Sequence, residues 1–208
     1  RDPNAASETP QKTMLGPGQL TWLQAALKNS TAVFKVIISA SGWSKAKGPG
    51  GDSWSAFLHE RDALFNYIRD NRIAGVVLLS GDTHVGELNV IPWSEHGGYD
   101  FYDLVSSPLA QSASGGWMDR RPERRIRPVY FQTANFGFID FAFDKIPRLA
   151  FNLIDVNGRQ VWTPFELRAD ELANGVQSWP NKASDKEKRR QENYDAGKGY
   201  YEDVKKHP

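Results

Sequence analysis

Apolar positions in this chain follow one rhythm up to about residue 98 and another beyond it. After Pro17, which suits a first helical turn, Leu20, Leu23 and Leu27 recur at helical spacing and predict an amphipathic helix over about 17 to 29. FKVIISA, residues 34 to 40, is a short run rich in Val and Ile and predicts a buried strand. The Gly/Pro-rich stretch SGWSKAKGPGGDSW, 41 to 54, has no period and predicts a loop. Phe57, Leu64 and Ile68 mark one side of a second helix over about 55 to 72, with Glu60, Arg61, Arg69 and Asp70 among its charges. GVVLLSG, 75 to 81, predicts a second buried strand.

Helix and strand alternating in this way, with all-apolar strands, imply neighbouring parallel strands covered by helices, an α/β layer arrangement. Beyond residue 98 the pattern turns to strands at 99 to 107, 134 to 143, 148 to 156 and 159 to 167, expected to be antiparallel. The last two flank Asn157-Gly158, a strong hairpin signal. MDRRPERRIRP, 118 to 128, carries five arginines; it reads as a solvated charged loop, with phosphate attraction as the other option. From 171 to 208 the chain is polar and heavily charged, a tail expected to be partly disordered or to wrap the surface. Order is expected to start near Met14. The division is then a polar N-terminal segment (1–13), a main domain part (14–170) and a charged tail (171–208).

Composition narrows the function classes. With 39% hydrophobic residues in 208, the chain can bury a real core. A net charge of +1 gives no basic field for nucleic acid or an anionic membrane. The absence of cysteine rules out disulfides and cysteine-based zinc sites. No apolar run approaches the roughly 20 residues of a membrane-spanning helix. No leader peptide is visible, and the chain opens at Arg1 in a polar stretch that reads as an interior segment of something longer.

In open parallel sheets, ligands sit where strands end at their carboxyl side. The two apolar runs deliver residues 41 to 54 and 81 to 87 to that edge. Asp82 and His84, two apart after Gly81, supply a carboxylate and an imidazole, standard ligands for zinc, iron or manganese. Taken alone, the pair also fits a capping aspartate and an exposed histidine. A catalytic metal wants at least three protein groups.

Four motifs in order decide between these options. Leu15, Gly16, Gln19, Trp22 and Leu23 come first, then Phe34, Lys35 and Val36. Asp52, Trp54, Phe57, Glu60 and Arg61 follow, and Leu79 to His84 close the set. Together they resemble the PhoD-type alkaline phosphatases of the calcineurin-like metallophosphoesterase superfamily, over about 14 to 110 and less specifically to about 168. The resemblance implies part of a four-layer α/β/β/α sandwich and a secreted or periplasmic location. Its implied activity is hydrolysis of phosphomonoesters or phosphodiesters at a dinuclear metal site, an iron/calcium or zinc-type divalent pair. Such ions polarise phosphate oxygens and lower the pKa of bound water. Asp82 and His84 match the last metal-ligand motif. Asp52 and Trp54 match a loop beside the substrate pocket, although Asp52 could simply cap a helix and Trp54 simply pack. Arg61 is expected to pair with a carboxylate.

Two departures qualify the resemblance. The family's earlier ligand motifs are not in these residues, and Ser55-Ala56-Phe57 stands where many members carry a D-G-Y-like string. The chain is therefore expected to be a C-terminal half that needs an N-terminal half, as a separate chain or a removed segment. The aromatics Phe136, Phe138, Phe151 and Phe165 point the same way, because they need a facing layer that this chain hardly supplies. Two alternatives stay open. One is an inactive module that binds a partner or carbohydrate. The other is a self-sufficient hydrolase with His84 as base and Asp82 or Asp52 orienting it, for which the sequence offers only undistinguished serines such as Ser80 or Ser106 as nucleophile.

Overall fold

A computed structural model describes residues 1–114, 120 and 122–198. Helix α1 (Pro17–Asn29) has its proline in the first turn and Leu27 in the core. Strand β1 (Lys35–Ile38) leads through the loop to helix α2 (Leu58–Asp70), where Leu64, Phe65 and Ile68 are fully buried. Then come β2 (Val76–Ser80), β3 (Glu87–Ile91), β4 (Phe101–Val105) and β5 (Arg124–Arg125). These form one five-stranded sheet in the order β1-β2-β4-β3-β5. The hairpin strands β6 (Asn135–Ala142) and β7 (Arg148–Asp155) join β8 (Phe165–Arg168) in a separate antiparallel sheet, and α3 (Trp179–Lys182) and α4 (Asp185–Asp195) follow.

The β1–β2 pair is parallel, as the alternating pattern implies. The expectation that strands after about 99 are antiparallel fails at β4, which runs parallel to β2 and antiparallel to β3. The cause is β3 itself, a strand that sequence patterning does not show. Its Glu87 and Asn89 interrupt the apolar run, yet both are buried, Glu87 in an ion pair with Arg125. On the face they share, Leu78, Asp103 and Asn89 stand in register across β2, β4 and β3. Phe101, also on this face, stacks on Phe65 of α2 at 4.3 Å. Tyr102, on the opposite face, meets Phe165 of β8 at 5.1 Å. Helices thus cover one side of the mixed sheet and the small antiparallel sheet covers the other. Leu149, Phe151, Leu153, Phe165 and Leu167 fill the second contact. Each contributes roughly 1.5–3 kcal/mol by leaving water.

The Asn157-Gly158 hairpin forms. Gly158 adopts φ 75° and donates its N–H to Asp155 O at 3.0 Å, while the Asp155 carboxylate accepts from the Asn157 and Arg159 amides. Regular pairing resumes only at Phe165, two residues out of step with the Ile154–Gln160 bridge, because Pro164 has no N–H to offer.

Four further expectations change. Strand β1 is an edge strand rather than a buried one, with Val36 and Ile38 exposed on the side away from the helices. Residues 1–13 do not precede the ordered part: Lys12 is buried over the Phe57 ring, and Glu60 accepts the backbone of Met14 and the Thr13 hydroxyl. In the arginine-rich stretch, of which 118, 119 and 121 lie outside the described residues, the expectation of a solvated loop fails at β5. Arg125 is buried in an ion pair with Glu87, and Arg124 and Arg125 form β5. Finally, Phe151 and Phe165 find their facing layer inside this chain, whereas Phe136 and Phe138 do not and stay exposed. Past β8, the Ser178 and Trp179 amides donate to the buried Asp100 carboxylate, so the first part of the 171–208 segment rests on the mixed sheet.

Candidate functional site

Strand β2 ends at Ser80 and the chain turns sharply through the next four residues. Gly81 is the only glycine there, yet it is Asp82 (φ 67°) and His84 (φ 59°) that take left-handed backbone. Asp and His are among the residues that tolerate this region best, at a cost of about 1–2 kcal/mol each. Thr83, between them, is buried. The turn is pinned from the end of β4 and beyond: the Ser107 hydroxyl accepts the His84 N–H at 3.1 Å, and His84 O accepts the Ser114 N–H at 3.1 Å. Strain of this kind concentrates at functional sites, where surrounding contacts hold it in place.

The Asp82 carboxylate is half exposed and already carries a cation. Lys47 Nζ lies 2.6 Å from its Oδ2 and 3.0 Å from the carbonyl oxygen of Asp52. The structure thus joins Asp82 to the Asp52 loop through one lysine. The Asp52 side chain itself faces elsewhere. It accepts from Asn4 at 3.1 Å and pairs with Arg1 at 2.7 Å, contacts that hold its carboxyl below the usual aspartate range. It caps no helix, since Ser53 performs that role for the turn at residues 54–56. Trp54 is buried and stacks on Trp43 at 4.4 Å, nearly parallel, with its indole N–H on Ser39 Oγ at 3.0 Å. It also borders a groove of about 550 Å³ that runs along α1 and β1, past Gln19, Trp22 and Ser39.

An acidic oxygen that holds an ammonium ion is the right kind of donor for a metal cation, and the neighbouring imidazole is another. Among the described residues, however, no group of three or more His, Asp or Glu side chains could hold a metal ion. The described residues thus hold no complete metal site around Asp82 and His84.

The other motif residues act as ties. Glu60 fastens the turn before α1, as the Met14 contact shows. Arg61 is buried and donates to Trp43 O at 2.8 Å and to Glu123 at 2.7 Å, which joins α2 to the loop after β1 and to the arginine-rich stretch. Sequence reasoning missed two members of the site. Lys47 gave no signal in its unpatterned loop. Asp103 did give one, as an aspartate inside the apolar strand YDFYDLV. It is fully buried, and it accepts the Trp43 N–H at 2.9 Å, the Ser44 N–H at 3.3 Å and the Ser80 hydroxyl at 2.6 Å. Burial pushes its carboxyl up to about 7, against the pull of these donors.

Comparison with known proteins gives the family. Residues 1–145 match the family described as PhoD-like phosphatase. Alkaline phosphatase D of Bacillus subtilis (strain 168) is 31% identical over 91 residues, which cover 40% of this chain and 16% of that protein. A solved structure titled "Structure of PhoD" superposes with a TM-score of 0.48 at 18% identity, over 74% of this chain and 36% of the other. The chain thus spans well under half the length of both relatives. With the family match running from the N-terminal segment through the Asp82–His84 turn and on into β6, the chain belongs to the PhoD-like phosphatases.

Proposed function

We propose that this chain supplies Asp82 and His84 to a dinuclear metal site of a phosphatase or phosphodiesterase, and that the remaining ligands come from residues outside it. The observation that carries this reading is the strained Asp82–His84 turn at the carboxyl end of a parallel strand, with a lysine ammonium held on Asp82. A bound metal pair would supply Lewis-acid polarisation of the phosphate oxygens and a lowered pKa for water. The chain's own residues then have distinct roles. Asp82 would hold a cation through its carboxylate, and His84 through an imidazole nitrogen. Lys47, whose ammonium lies on Asp82 and on the Asp52 carbonyl, would add positive charge beside a bound phosphate. Trp54, stacked on Trp43, walls the pocket, and Asp52 holds the N-terminal segment beside it through Arg1 and Asn4.

The need for further residues finds support in the molecule's open side. Exposed there are Trp22 (66%), Ile38 (75%), Phe138 (43%) and Phe143 (67%). Strand β1 is the edge of one sheet and β6 the edge of the other, and Phe34 touches Phe141 across the gap at 5.6 Å. Two sheets open on one side, flanked by helices on one face, suit a four-layer sandwich completed from outside this chain. The natural setting of the whole enzyme is secreted or periplasmic in this reading.

The test is hydrolysis of p-nitrophenyl phosphate and bis-p-nitrophenyl phosphate with iron/calcium or zinc present. The chain alone should be inactive, and the enzyme carrying the rest of the fold should be active. Turnover by the chain alone would contradict the shared site and favour a hydrolase with His84 as base. An inactive complete protein that binds no metal would instead favour a partner-binding module.

A further inference from the structure

Asp103 lies on β4, far in sequence from the two segments that build the candidate site, yet it touches both of them. Its Oδ1 accepts from Ser80, the last residue of β2 and two residues before Asp82. Its Oδ2 accepts from the backbone of Trp43 and Ser44, at the start of the loop that carries Lys47 and Asp52. That loop then returns to Asp82 through Lys47, which closes a circuit of Asp103, Ser80, Asp82, Lys47 and Ser44. The Trp43 end is held firm by its own contacts: its indole N–H reaches Leu79 O at 3.3 Å, its carbonyl accepts from Arg61, and its ring stacks on Trp54. A carboxylate has two oxygens, and here each serves one segment. A neutral amide there would hold both segments only through weaker bonds, with the Ser80 hydroxyl turned from donor to acceptor.

We propose that Asp103 is a positioning residue for the phosphatase site, setting the register between the Lys47/Asp52 loop and the Asp82–His84 turn. This rests on the proposed function only for its catalytic consequence; the clamp itself is a property of the fold. Asp103→Asn keeps size and shape, but it replaces charge-assisted bonds with neutral ones and turns the Ser80 hydroxyl from donor to acceptor, so both arms of the clamp weaken. Ser80 is partly exposed, so Ser80→Ala removes one arm of the clamp at small risk to folding, while Ser80→Thr keeps the hydroxyl.

The experiment compares Asp103→Asn, Ser80→Ala and Ser80→Thr in the complete enzyme, by steady-state kinetics and by amide hydrogen exchange. For Asp103→Asn, kcat per folded molecule should fall on the order of 10-fold or more, with KM within about 2-fold, since a site displaced by about 1 Å loses up to 100-fold. Ser80→Ala should move the same way by less, and Ser80→Thr should restore the wild-type value. Exchange should quicken at Trp43, Ser44 and residues 81–85 and stay unchanged in α2. Wild-type kcat in both Asp103→Asn and Ser80→Ala, or losses that only track the folded fraction, would overturn the positioning role. Unchanged exchange at those amides would overturn the clamp whether or not phosphate esters are cleaved. A wild-type enzyme that cleaves none would overturn the phosphatase reading alone. Should Asp103→Asn fail to fold, the two Ser80 variants decide.

Discussion

A carboxyl group titrating near neutrality inside a β-sheet ties stability to pH in a definite direction. Asp103 binds its proton more tightly in the folded chain (about 7) than an aspartate does in an unfolded one (3.8). Its contribution is therefore full below about pH 4 and is lost as pH rises towards 7. Glu87, facing it from β3 and paired to Arg125 of β5, adds to the upward shift. Asp103→Asn removes this dependence, so urea titrations should show the variant gaining on wild type between pH 4 and 7 and holding level above pH 8. A difference that stays constant over that range would contradict the assignment. The Glu87–Arg125 pair behaves differently. Both side chains are almost wholly buried, and Arg125→Met leaves Glu87 charged without its partner. Breaking a pair of this kind costs about 3–5 kcal/mol, whereas Glu87→Gln with Arg125→Met together should recover much of it. A double-mutant cycle by chemical denaturation measures the difference, and strictly additive losses would show that the pair is uncoupled.

At the scale of elements, the turn from α2 into β2 is the tightest constraint. Gly75 has φ 77°, and a Cβ there would fall 1.9 Å from the carbonyl oxygen of Val33. Gly75→Ala should cost about 2–5 kcal/mol, the sum of left-handed strain and overlap, and should separate β1 from β2. An unchanged denaturation midpoint would contradict the close approach. Most elements were legible because their residues obey one period: the leucines of α1, Phe57, Leu64 and Ile68 beside α2, and the apolar run of β2. Strand β3 was illegible for the opposite reason, since Glu87 is inside on account of Arg125, 38 residues away, and Asn89 is buried beside it although its side-chain amide meets no hydrogen-bond partner among the described residues. The same holds for Arg125, which looks like a surface charge until Glu87 is placed beside it. Of the site, the four motifs gave Asp82 and His84 as candidates, but their left-handed backbone has no sequence signal. Lys47 and Asp103 come to the site only through the fold.

For the whole molecule, the decisive feature is one open side where both sheets end. Ile38 and Phe138 line the same space between the sheets, together with Leu104 and Phe151. The pair Ile38→Lys and Phe138→Lys should make the chain less prone to associate with itself and unable to join the rest of the enzyme. Sedimentation velocity reports both effects, and undiminished assembly would show that this side is not the junction. The central claim, that the Asp82–His84 turn holds metal for phosphate-ester hydrolysis, is most directly tested by His84→Ala in the complete enzyme, with metal content and phosphatase turnover measured on the same sample. The account predicts substoichiometric metal and a loss of kcat of at least about 100-fold; full metal content with wild-type turnover would contradict it.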